Sequence, residues 1–170
     1  TGTRFIVAGD RGSVFVSTTG AIGTWTSQVT GTLNDLRGLA WDNAAGVVAV
    51  GGNFSTGPVI LTSPDGLTWT PRVAPGNQLL YSVTRAGTVW LATGYDGTVM
   101  TSPDGVQWTL KTAPTTHELY AGAWNGSEFL AVGEGGTILS TSLATEPLEW
   151  VSIGPVPAPG NGYRLEWKSA

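Results

Sequence analysis

TSPDGLTWT at 62–70 and TSPDGVQWT at 101–109 are nearly one nonapeptide written twice, 39 residues apart. Each sets an aspartate in a tight turn just ahead of a tryptophan. A catalytic aspartate is needed once, or twice in different surroundings. An aspartate repeated in the same surroundings is a part that the architecture needs once per unit. Aligning on the box tryptophan extends the pair to four copies, at Trp25, Trp69, Trp108 and Trp150, with spacings of 44, 39 and 42. A fixed period of this length is the signature of a repeat architecture.

Within each copy, short runs of strand-forming residues alternate with Gly, Asn or Asp turns. LYAGAW (119–124), EFLAVG (128–133), TILSTS (137–142) and EWVSI (149–153) make one such set. No stretch sustains a capped helical period, so helix is expected to be nearly absent. The first copy opens at RFIVAG (4–9), which corresponds to the second run of the other copies. Its first run is expected at the far end of the chain, where GYRLEWKSA (162–170) matches ELYAGAWNG in phase. A β-sandwich does not account for a seam in phase with the repeat. The pattern therefore predicts an all-β, four-bladed β-propeller with four antiparallel strands per blade. The strand at 162–168 would complete the N-terminal blade and remove its open edge. The expected units are blade I (162–170 plus 1–31), blade II (32–75), blade III (76–114) and blade IV (115–157).

Composition narrows the function. The chain has 170 residues, a net charge of −4, 25 Gly, 8 Trp and no cysteine. The charge sets aside nucleic acid, which needs a basic stripe. Without cysteine there is no disulfide framework, thiolate catalysis or zinc–cysteine site. The apolar runs fall short of the ~18–20 residues of a membrane span. The chain opens at Thr1 and its only methionine is Met100, which reads as a processed or trimmed product.

In SPDG, proline presets φ for a type I turn, and the aspartate can accept nearby backbone N–H groups. The tryptophan four residues on supplies apolar area for packing. Ser63, Asp65, Gly66 and Trp69, like Ser102, Asp104, Gly105 and Trp108, are thus expected to staple a rim hairpin. These residues resemble the Asp-box, or BNR repeat, of sialidases and related β-propellers, in a shortened SxDGxxW form. The box is intact twice. Copy one keeps Ser17, Gly20, Thr24 and Trp25 with Thr19 in the aspartate's place, and copy four keeps little beyond Trp150. The resemblance implies a structural box remote from any active centre.

That resemblance also implies what a sialidase-like site would require: an arginine cluster, a tyrosine beside a glutamate, and an acid/base aspartate. None of these carries over by motif. One histidine, His117, cannot build a multi-histidine metal site, and no phosphate loop or nucleophile elbow appears. No catalytic residue, metal or other cofactor is expected.

A binding site would lie on the face that gathers the turns between second and third strands. That face collects Asp10, Arg11, Phe54, Tyr95, Asp96, His117 and Glu134. Beside it, Arg37, Tyr81, Tyr120 and Tyr163 hold equivalent places at the start of each innermost strand, predicting a ring at the channel mouth. By simple alternation, Leu39, Val83 and Gly122 would share their face, while Gly38, Ser82 and Ala121 would let inner strands approach closely.

Three functions follow as expectations. The first is a non-catalytic secreted or surface module that binds a glycan or a protein. The second is a structural subunit of an extracellular or virion assembly, joined to copies of itself. The third is a sialidase-like glycosidase with a carboxylate pair at the channel. Two chains joining into an eight-bladed ring would preserve the same repeat.

Overall fold

The computed structural model describes residues 4–142 and 149–153. Fifteen strands follow one another along these residues, and no α-helix occurs among them. Blade I contains β1 (Phe5–Ala8), β2 (Val14–Ser17) and β3 (Thr26–Gln28). Blade II contains β4 (Leu36–Asp42), β5 (Gly46–Asn53), β6 (Gly57–Ser63) and β7 (Thr70–Arg72). Blade III contains β8 (Leu80–Ala86), β9 (Val89–Gly94), β10 (Val99–Ser102) and β11 (Thr109–Lys111). Blade IV contains β12 (Leu119–Trp124), β13 (Glu128–Gly133), β14 (Ile138–Ser142) and β15 (Trp150–Ser152). Each sheet is an antiparallel meander in chain order. Blade I has three strands among the described residues. The inner strand expected for it at 162–168 lies outside them, as does Tyr163.

The core lies between blades. Val14 and Val16 of blade I pack with Leu36, Ala49 and Leu61 of blade II. Val48, Val50 and Ile60 on the other side of blade II meet Leu80, Trp90, Ala92 and Met100 of blade III. Leu91 and Val99 then meet Leu119, Phe129 and Leu139 of blade IV. The sheets of blades II and III are therefore apolar on both faces. This is why the second strands read as near-continuous apolar runs such as GVVAVGG rather than as alternating ones.

Small residues bring the inner strands together as expected. A Cβ on Gly38 would stand 3.0 Å from Ser82 Cα of the next blade, and Thr84 Oγ1 donates to the Gly122 carbonyl at 2.9 Å. Arg85 Nε meets Asp42 Oδ2 at 3.2 Å across the boundary between blades II and III.

The two SPDG turns are built alike. Ser63 Oγ accepts the Gly66 N–H at 2.7 Å, and Asp65 Oδ1 accepts those of Leu67 and Thr68. Ser102 Oγ accepts the Gly105 N–H at 2.8 Å, and Asp104 Oδ1 accepts those of Val106 and Gln107 at 2.8 and 2.9 Å. Trp69 and Trp108 each donate Nε1–H to the carbonyl of the turn glycine, at 3.1 and 2.9 Å. Both glycines have φ near +80° and face the preceding blade, Gly66 against Ile6 and Gly105 against Val48. The turn thus joins its own hairpin to the neighbouring sheet. In blade I, Ser17 Oγ accepts from Gly20 at 2.9 Å and Thr19 Oγ1 accepts from Ala21 at 3.3 Å, a weaker version of the same knot. Trp25 is half-buried, and Trp150 meets Phe129 edge-on at 6.2 Å.

Backbone N–H groups hold both Asp65 and Asp104 below the ordinary carboxyl value of 3.8. A depressed folded value gives stability that is present above the unfolded value and is lost as pH falls through the folded one. The urea midpoint of the native chain is therefore expected to be steady near neutrality and to fall below about pH 4. Asp104→Ala should cost about 1–2 kcal/mol at pH 7, and the difference from the native chain should shrink as pH drops below 3.8. Urea titrations of both proteins at pH 7 and pH 3 measure this.

Candidate functional site

The inner strands carry a feature that simple alternation does not anticipate. In β4 the pairing to β5 slips between Leu36 and Gly38; in β8 it slips between Leu80 and Ser82, and in β12 between Leu119 and Ala121. Arg37, Tyr81 and Tyr120 are the extra residues of three equivalent β-bulges. A bulge re-aims its side chain and shifts the register beyond it by one. Leu36 and Leu39 consequently both pack toward blade I, and Leu80 and Val83 both join the core shared with blade II. The expectation that Arg37 and the tyrosines share a regular strand face with Leu39, Val83 and Gly122 is corrected by these bulges.

The re-aimed side chains form one row. The Arg37 guanidinium lies 5.8 Å from the centre of the Tyr81 ring, and the Tyr81 and Tyr120 rings are 5.7 Å apart at 45°. Carboxylates support both ends. Asp35 Oδ2 holds Arg37 Nη2 at 3.2 Å, and its Oδ1 accepts the Arg11 backbone N–H at 3.1 Å. Glu118 reaches both tyrosines. Burial first, then the charge and hydrogen bonding of Glu118, push the Tyr81 phenol up to about 12. Burial and the Glu118 hydrogen bond also raise Tyr120, and Glu134 adds to it. Both phenols stay protonated at physiological pH and remain hydrogen-bond donors. Tyr120 is 42% exposed, so the row is open to solvent at that end.

Around the row stand the turns between second and third strands. Asp10–Gly12, Tyr95–Gly97 and Glu134–Gly136 share one tight conformation, with φ of 56° at Arg11, 54° at Asp96 and 64° at Gly135. Blade II has a wider hairpin, in which Asn53 Oδ1 accepts from Ser55 and Thr56, each at 2.9 Å. Its tip, Phe54, is 75% exposed and meets the Tyr95 ring edge-on at 5.2 Å. Gln78 Nε2 donates to Asp96 at 3.3 Å. His117 Nδ1 is 2.7 Å from Thr137 Oγ1, which ties the histidine to blade IV. Arg37, Tyr81 and Tyr120 are therefore brought into contact. Phe54 and Tyr95 form a second aromatic pair, and Arg11 connects to the row through Asp35. Asp10 lies on the blade I turn with its backbone carbonyl capping Ser13.

Asp35 and Glu118 are the residues that sequence reading left out of the site. Their signal is position, since each stands one residue before the leucine that opens an inner strand and two before the bulged residue. Carboxylates outnumber guanidinium groups on this face. Among the described residues no cluster of His, Asp and Glu could hold a metal ion, and no helix is long and apolar enough to cross a membrane.

Four meandering sheets with cores between successive blades define a β-propeller fold. The fold is shared with a solved structure described as YCF48 bound to D1 peptide, at a TM-score of 0.66 and 15% sequence identity. The match covers 90% of this chain and 51% of that one, so this chain spans about half the length of the structure it is similar to. No family model and no curated protein matches the sequence.

Proposed function

We propose that this chain is a non-catalytic protein-binding module that takes an extended peptide segment across the row Arg37–Tyr81–Tyr120. The observation that carries this reading is the row itself. Three equivalent bulges turn an arginine and two tyrosines out of successive inner strands and into mutual contact. Tyrosine and arginine are the residue types that dominate binding energy at protein interfaces, because each offers large area with a polar tip. Glu118 fixes both phenols before a ligand arrives, which reduces the ordering cost of binding. The surplus of carboxylates favours a segment with basic side chains. The solved structure of similar fold, with its bound peptide, supports a protein ligand over a glycan. The paired SPDG turns fit the Asp-box reading of the repeat. The same reading puts the chain outside the cell or on a cell or virion surface, in keeping with its low charge.

Panning a random-peptide display library against the chain, followed by titration of the best peptide, tests this. Tyr81→Ala with Tyr120→Ala is expected to weaken binding by about 2 kcal/mol or more, roughly thirtyfold. The urea midpoint should change little, because neither ring is part of the inter-blade cores. Unchanged affinity would remove the row from the site, and failure to enrich any peptide would count against the protein-binding reading.

A further inference from the structure

Every blade has a leading face, which meets the blade before it, and a trailing face, which meets the blade after it. Register fixes the equivalences. Val7 pairs with Phe15, Ala49 with Leu61, Ala92 with Met100, and Ala131 with Leu139. In blades II, III and IV these leading-face residues are buried to 1% exposure or less. In blade I the equivalents are open, with Phe5 at 56%, Val7 at 45% and Phe15 at 40%. These are large apolar side chains in neighbouring positions of one sheet, and such a patch marks an interaction surface. Blade IV shows the complement. Leu130 and Ile138 on its trailing face are half-buried, whereas the equivalent Val48, Ile60, Leu91 and Val99 are at or below 1%.

We infer that the leading face of blade I docks the trailing face of blade IV from a second copy of this chain, head to tail. Three observations choose this occupant. The same apolar contact recurs at each blade boundary within the chain, so Phe5, Val7 and Phe15 continue an interface already present. Blade IV offers the sequence-equivalent partner surface, with Ile138 standing where Ile60 and Val99 stand in the buried boundaries. Among the described residues, the chain's own blade IV leaves Phe5, Val7 and Phe15 exposed. A contact of this kind is heterologous, and made reciprocally it closes two chains into one ring with twice the blades. It is independent of the peptide row, which sits on the bulges of β4, β8 and β12.

The chain has no cysteine, so introduced cysteines report the contact directly. Val7→Cys and Ile138→Cys chains, purified separately, are mixed and oxidised with a copper catalyst, and the products are separated without reductant. Light scattering of the native chain across concentrations accompanies this. The expected result is a mixed Val7→Cys/Ile138→Cys disulfide and a native mass of twice 17.6 kDa. Phe15→Asp should shift the native mass to that of the monomer with an unchanged circular dichroism spectrum. A double Val7→Cys/Ile138→Cys chain that cross-links only within itself would overturn the inference by making blade IV of the same chain the occupant. Val7→Cys homodimers alone would overturn it in favour of face-to-face pairing. A native mass of 17.6 kDa at all concentrations, with no mixed disulfide, would overturn it outright.

Discussion

Gly94→Ala is expected to destabilise the chain by about 3 kcal/mol and to weaken peptide binding in the molecules that remain folded. A Cβ at Gly94 would overlap the Leu79 carbonyl oxygen and lie 2.9 Å from the carbonyl carbon and 3.0 Å from Leu80 Cα. All of these are backbone atoms, so no rotamer change relieves the overlap. The φ of Gly94 is −167°, an extended value open to any residue. The glycine is needed for close approach and not for its backbone angle. That approach lets the Leu79 carbonyl accept the Tyr95 N–H at 2.9 Å, which pins the chain just ahead of the bulge at Tyr81. Gly51 meets the Asp35 carbonyl and Gly133 meets the Glu118 carbonyl in the same way. One steric device therefore holds the bulges that present Arg37, Tyr81 and Tyr120. Urea denaturation reads the stability, and titration of the selected peptide reads the displacement of the site. A Gly94→Ala protein with native stability and affinity would show that the bulge does not depend on the glycine.

Trp90→Ala should cost about 3–5 kcal/mol, whereas Trp90→Phe should cost about 1 kcal/mol or less. Trp90 is fully buried between blades II and III, and the Arg85 guanidinium stacks over it 5.0 Å from the ring centre. Alanine leaves a cavity that two rigid sheets cannot close. Phenylalanine leaves a smaller one and removes an indole N–H that has no hydrogen-bond partner, so the two effects oppose each other. The repeat supports the exchange, because Phe129 occupies the equivalent site of blade IV, also fully buried. Thermal or urea unfolding of both variants measures the contrast. Equal losses for alanine and phenylalanine would mean that the indole N–H is satisfied in solution.

The Arg37–Tyr81–Tyr120 row and the docking face of blade I depend on these same boundaries. The row is held by bulges that the second-strand glycines permit. The docking face is one boundary surface without its partner. The proposed row and docking face therefore sit where the repeat is interrupted or re-aimed, while the boundaries themselves are packed for stability.

Much of this was legible in the residues alone, because it is local and repeated. The period of the tryptophans, the Gly and Asn turns and the apolar second strands determine four antiparallel sheets. The SPDG phrases determine that Asp65 and Asp104 belong to the fold, since their carboxylates find partners two and three residues away. The presence of Arg37, Tyr81 and Tyr120 at equivalent positions was also visible. Tertiary structure alone decided what those positions mean. A bulge depends on a carbonyl meeting a glycine on the neighbouring strand, and strand alternation contains no trace of it. Glu118 reaches Tyr81 across a blade boundary, 37 positions along the chain. Whether Phe5, Val7 and Phe15 are covered likewise depends on which surface stands opposite them, and a sequence with four similar boundaries specifies the chemistry of that surface without specifying the molecule that supplies it.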